Sequence, residues 1–134
     1  MSAGVFLLAL LLVSVGGAAG SLARWGIRVG GARLQARRGT TPRSTHWATF
    51  AANVVACLLL GLIVARLGSA TGSLELLYLL LAAGFCGGLS TLSTAALDVV
   101  ELARRGAIAI SVAYLLLSVG SGMLALWVGL VIGQ

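Results

Sequence analysis

The sequence predicts an all-α membrane protein of four transmembrane helices, the third broken in mid-membrane. The chain of 134 residues is 60% hydrophobic and only 9% charged, where an ordinary soluble domain carries about 25% charge. Its apolar residues fall into four runs, near 4–24, 47–67, 74–102 and 107–132. Each reaches the ~20 residues that a helix needs to cross hydrocarbon. The third run contains Gly84-Phe85-Cys86-Gly87-Gly88-Leu89-Ser90-Thr91-Leu92-Ser93-Thr94, three glycines and four hydroxyls in a segment that must cross lipid. A chain this short is expected to be one domain, 1–134.

The first run could be read as a signal peptide, but Met1 to Gly4 carry no basic side chain. The run Val5–Ala19 also continues through Leu22 to Arg24, so it is expected to stay as a span. The segment 26–46 holds Gly30, Gly31, Arg37, Arg38 and the only proline, Pro42. It has no clear periodicity and is expected to be an irregular basic loop. Trp25 and Trp47 bracket it, and Trp127 lies near the far end of the fourth run. Tryptophan favours these interfacial depths.

The third run is longer than a span requires. As one straight helix it would measure about 43 Å, against about 30 Å of hydrocarbon. A break absorbs the excess. Glycine weakens the helix, and hydroxyls offer the freed backbone new partners. Unpaired backbone costs several kcal/mol in lipid, so such a break survives only inside protein or beside a polar cavity. Broken helices of this kind often hold ions.

Charge sets the expected orientation. All nine basic residues are arginine. Arg24, Arg28, Arg33, Arg37, Arg38 and Arg43 flank or fill the first loop, Arg104 and Arg105 the third, and only Arg66 the second. That eight-to-one bias places the first and third loops in the cytoplasm and both termini outside. The net charge of +6 therefore follows topology and does not indicate a nucleic-acid partner. Contact of the basic loop with anionic lipid head groups is a further expectation.

No catalytic set is present. The carboxylates are Glu75, Asp98 and Glu101. Asp98 and Glu101 share a helical face near Arg104 and Arg105, so local ion pairing is expected. His46 has no acidic or cysteine neighbour in sequence and reads as an interfacial residue. Cys57 and Cys86 lack metal-ligand spacing and read as small packing residues.

The polar residues within the spans carry the functional reading. Asn53 either glues helices together or coordinates a solute. Tyr114 and Ser118 share one face of the fourth span, with Gly122 a turn further on. Ser93, Thr94, Asn53, Tyr114 and Ser118 together offer hydrogen-bond donors without fixed charge. Such a lining suits a small anion that must shed water and still leave. A proton-coupled small multidrug exporter needs a membrane-embedded acid, which spans one, two and four lack. A non-conducting structural or regulatory subunit is the other alternative.

The motifs resemble the Fluc (CrcB-type) fluoride channel family. Gly16-Gly17-Ala18-Ala19-Gly20-Ser21-Leu22-Ala23-Arg24-Trp25 is similar to its opening signature. Ala48-Thr49-Phe50-Ala51-Ala52-Asn53 is similar to its threonine-to-asparagine motif. The stretch Gly84–Thr94 is similar to its third-span signature, and Tyr114, Ser118 and Gly122 to its fourth-span spacing. The resemblance implies an antiparallel dimer of four-span subunits in the cell membrane that exports fluoride passively. It implies a structural Na+ at the dimer centre, held by backbone carbonyls of Gly87 and Ser90. Asn53, Ser93, Thr94, Tyr114 and Ser118 would then line the fluoride route. Arg24 matches the opening motif, and Asp98 stands where the family usually has glutamate.

Two departures shape what the resemblance implies. The family pattern has two phenylalanines in the third span whose positive ring edges contact the anion. Leu92 and Ala95 stand at those positions. Antiparallel homodimers also require subunits that insert both ways, and an eight-to-one arginine bias locks one orientation. Both point to one half of a heterodimer whose second Fluc-type subunit supplies the rings.

Overall fold

The computed structural model describes residues 3–37 and 45–134. They form helices α1 (Ala3–Arg37), α2 (Thr45–Leu67), α3 (Ser73–Tyr78), α4 (Gly87–Leu89), α5 (Leu92–Arg104) and α6 (Ile108–Gly133), with a π-helical segment over Leu79–Cys86 joining α3 to α4. Among the described residues, four stretches are long and apolar enough to cross a membrane: Ala3–Leu34, His46–Leu67, Ser73–Arg104 and Ile108–Gly133. The chain is an all-helical, multi-pass membrane protein.

The expected basic loop is shorter than 26–46. Helix α1 continues to Arg37, so the first twelve residues of that segment are helical. Their alanine, leucine, arginine and glutamine favour helix even where hydropathy falls. Loss of hydrophobicity marks where lipid ends, not where a helix ends. The remaining loop positions, with Arg38, Pro42 and Arg43, lie outside the described residues. Trp25, Trp47 and Trp127 are all exposed, as interfacial anchors must be.

Two helix pairs dominate the packing. Helix α2 lies along α6, and α1 lies along the π-helical segment and α4. Glycine makes both approaches possible. A Cβ at Gly20 would land on the Phe85 carbonyl oxygen, and one at Gly88 on that of Gly17. Across the other pair, Gly61 faces the Leu126 carbonyl and Gly129 that of Leu58. In lipid, where apolar side chains gain nothing by leaving their solvent, such close backbone contact drives association. Gly84 and Gly88, expected to weaken the third span, instead seat it against α1.

The break itself falls at Ser90 and Thr91. Ser90 has φ −75° and ψ 155°, and Thr91 has φ −151° and ψ 112°. Both are extended, so the helix stops at Leu89 and restarts at Leu92. Upstream, the π-helical segment adds a second irregularity within the same span.

Candidate functional site

The break is pinned by side chains of α1 and α2. Asn53 on α2 spans Thr91: the Thr91 N–H donates to Asn53 Oδ1 at 2.7 Å, and Asn53 Nδ2 donates to the Thr91 carbonyl at 3.2 Å. Arg24 on α1 donates through Nη1 to the Ser90 carbonyl at 3.0 Å. Ser21 Oγ reaches the Gly88 carbonyl at 3.5 Å. Thr91 also caps α5, because its Oγ1 accepts from the Thr94 N–H at 3.3 Å. Several of the backbone groups that the break frees thus have polar partners, as lipid depth demands.

The Gly87 and Ser90 carbonyls, which the resemblance assigns to Na+, lie at this break. An unbroken helix would give the Gly87 carbonyl the Thr91 N–H as its partner. Asn53 takes that N–H, which leaves Gly87 with only a 3.5 Å contact from Ser90 Oγ. Gly87 is exposed, and a Cβ there would meet nothing. The Ser90 carbonyl is half-occupied, since Arg24 uses one of its two lone pairs. Two partly free carbonyls on an unwound turn are the donor set that suits a hard cation such as Na+. One chain contributes two such oxygens, so a fuller shell needs more than this chain.

Below the break lies a groove of about 310 Å³ between α2, α5 and α6. Asn53, Tyr114 and Ser118 line it, with Leu92 and Ala95 on its apolar wall. The structure therefore gathers three of the expected pathway residues and both positions expected to carry rings. It does not bring Ser93 and Thr94 into this lining. Their hydroxyls lie instead against Thr91 Oγ1, at 3.3 and 3.1 Å. Thr91, not singled out from sequence, is the hub of this hydroxyl cluster. The spacing Thr91-x-x-Thr94 at a helix restart is the capping signal that could have found it.

Asp98 departs from expectation. It does not pair with Arg104 or Arg105. Glu101 forms the exposed ion pair with Arg105 one turn on, while Asp98 turns inward and is 4% exposed. His46 Nδ1 lies 2.8 Å from Asp98 Oδ1. The Tyr114 hydroxyl is 3.2 Å from Asp98 Oδ2 and from the His46 carbonyl oxygen. His46 thus has an acidic neighbour after all, supplied by the fold from a distant helix. Cys57 and Cys86 are unpaired, and Cys86 is buried.

Comparison of the sequence with known proteins identifies its relatives. The sequence model of the family described as CrcB-like protein, Camphor Resistance (CrcB), matches residues 11–130. The fluoride-specific ion channel FluC 2 of Rhodococcus jostii is 40% identical over 119 residues, covering 89% of this chain and 93% of its own. FluC 1 of Symbiobacterium thermophilum is 38% identical over 123 residues, covering 92% and 95%. FluC of Pseudomonas fluorescens strain Pf-5 is 39% identical over 122 residues, covering 90% and 93%.

Proposed function

The chain belongs to the CrcB-like family, and from that premise we propose that it is a subunit of a fluoride-selective passive channel that lowers cytoplasmic fluoride. Nothing in this function makes or breaks a bond, and the protein is not an enzyme. The observation that carries the reading is the groove lined by Asn53, Tyr114 and Ser118 beside a pinned helix break. A small anion leaving water needs donors that replace its hydration yet release it, which does not require charged groups in the groove lining itself. The groove offers an amide and hydroxyls instead. Ser93 and Thr94 extend the route through the cluster around Thr91.

The groove is open along one side and its wall at Leu92 is 84% exposed. A single chain therefore presents half a conduit. The second half is an antiparallel partner of the same family, and a heterodimer is favoured. Leu92 and Ala95 offer the anion no polarised edge, and the arginine bias orients this chain one way, with the basic loop in the cytoplasm. Na+ at the break would be held by the carbonyls of Gly87 and Ser90 together with the partner's. It would supply fixed positive charge to the dimer centre.

The test is fluoride efflux from liposomes, followed with a selective electrode, for the chain alone and with an oppositely biased relative. Fast efflux that needs the relative is the expected result. Robust selective efflux from the chain alone would remove the heterodimer. No efflux in either case would favour a non-conducting subunit, the second reading that the aliphatic wall at Leu92 and Ala95 supports.

A further inference from the structure

His46 is the only histidine of the chain. Its Nδ1 approaches Asp98 Oδ1 at 2.8 Å without hydrogen-bond geometry. The pair joins the start of α2 to the middle of α5, beside Tyr114 of α6, on the side of the bundle where α1 ends and α2 begins. It is continuous with the groove through Tyr114, which lines the groove and also touches Asp98.

A phenol has one proton. Donated to Asp98 or to the His46 carbonyl, that proton is withdrawn from the groove. An ionised Asp98 therefore opposes an anion in two ways. Its charge repels the ion, and its oxygen captures the nearest donor. A protonated imidazole beside it cancels the charge and competes for the carboxylate.

We propose that His46 is a positioning residue for the permeating anion. Protonated, it cancels the charge of Asp98 at that end of the groove. Neutral, it leaves Asp98 as a barrier at that end. Imidazole suits this task because its charge changes between about pH 5 and 8 when unperturbed. From α5 the ionisable group facing His46 is Asp98, and from α6 it is Tyr114. Helix α1 brings no carboxylate or guanidinium into an ion pair with it among the described residues. Arg43, close in sequence, lies outside the described residues. Glu101 and Arg105 are engaged with each other on the exposed face. The inference rests on the channel reading.

The experiment has two arms. In the first, the chain, with its conducting partner where one is needed, is reconstituted in liposomes. Efflux is measured at about pH 5.5 and about pH 7.5, either side of the imidazole range. Protein-free vesicles at each pH correct for leak of the neutral acid. Wild-type efflux is expected to run on the order of tenfold faster at the lower pH, the effect of cancelling one charge roughly 10 Å away at intermediate dielectric. His46→Gln is expected to be slow at both values, and Asp98→Asn fast at both. In the second arm the lone imidazole is labelled with ¹⁵N and observed in micelles at the same two pH values. The imidazole signal is expected to change in Asp98→Asn.

The outcomes separate. No protein-dependent efflux at either pH refutes the channel reading, not the pair. Efflux with superimposable wild-type and His46→Gln pH profiles overturns the inference alone. So does an imidazole signal unchanged by Asp98→Asn. If Asp98→Asn fails to assemble, the His46→Gln profile decides.

Discussion

Replacing Asn53 by alanine should disable the break, and the size of the effect follows from what Thr91 loses. Two hydrogen bonds go, the 2.7 Å bond from the Thr91 N–H and the 3.2 Å bond to its carbonyl. In water-soluble proteins each would be worth about 1 kcal/mol net, with about 1–3 kcal/mol for each group left stranded. Within membranes the measured average is nearer 0.6 kcal/mol, because the alternatives also find partners. Here one alternative is close at hand. The Gly87 carbonyl can take the freed N–H by extending the helix a residue. That rescue covers the N–H but not the carbonyl, so the expected destabilisation is about 1–3 kcal/mol. It also consumes the carbonyl proposed to face Na+. Function should therefore fall further than stability. Reversible unfolding in mixed micelles measures the first, and liposome efflux the second. Efflux should drop at least about tenfold, the loss expected when a pre-set site is misplaced. Asn53→Asp keeps the acceptor for the N–H and adds a charge, so it should fold better than Asn53→Ala and conduct no better. An Asn53→Ala protein matching wild type in both stability and efflux would refute this account of the break.

Gly20→Ala should cost about 1–3 kcal/mol, the usual penalty for overpacking, because its Cβ meets the Phe85 carbonyl oxygen; thermal unfolding in detergent reads it. Gly87→Ala has open space within the chain and should leave monomer stability nearly unchanged while weakening dimer assembly by size-exclusion chromatography. Normal assembly would remove the partner from that face. Arg24→Ala removes a charge-assisted hydrogen bond to Ser90, worth about 1.5–3 kcal/mol, and Arg24→Lys should restore only part of it in the same unfolding assay. Leu92→Phe with Ala95→Phe should raise efflux from the chain reconstituted alone. If efflux stays absent even beside a competent partner, the non-conducting reading gains.

The spans were legible because hydropathy over ~20 residues is a one-dimensional signal. The broken third span was legible for a related reason, since excess length and a glycine-hydroxyl stretch are both local. What could not be read was the purpose of each residue in that stretch. Gly84 and Gly88 serve packing against α1, a fact that lives in the partner helix and not in their own neighbourhood. Composition marks Ser93 and Thr94 as pathway hydroxyls but does not reveal that both lie against Thr91 Oγ1, outside the groove lining. The His46–Asp98 pair was invisible for the plainest reason. Its members lie on different spans, and sequence proximity was the only test of neighbourhood available.

The same logic bears on how charge is distributed around the break. Among the described residues, side-chain partners for its freed backbone come from α1 and α2, and the only formal charge among them is Arg24. The opposite formal charge, Asp98, sits further along α5 beside His46. A fixed positive group at the centre and a negative one toward the basic end would draw an anion inward and resist its passage at the mouth. Neutral donors between them, on Asn53, Tyr114 and Ser118, bridge that gap without trapping the ion. The resistance at the mouth is the element that protonation of His46 can remove, and Arg24, held on a carbonyl at the break, offers no comparable switch. Substitutions at Arg24 should therefore change efflux without changing its pH profile, whereas those at His46 should flatten the profile.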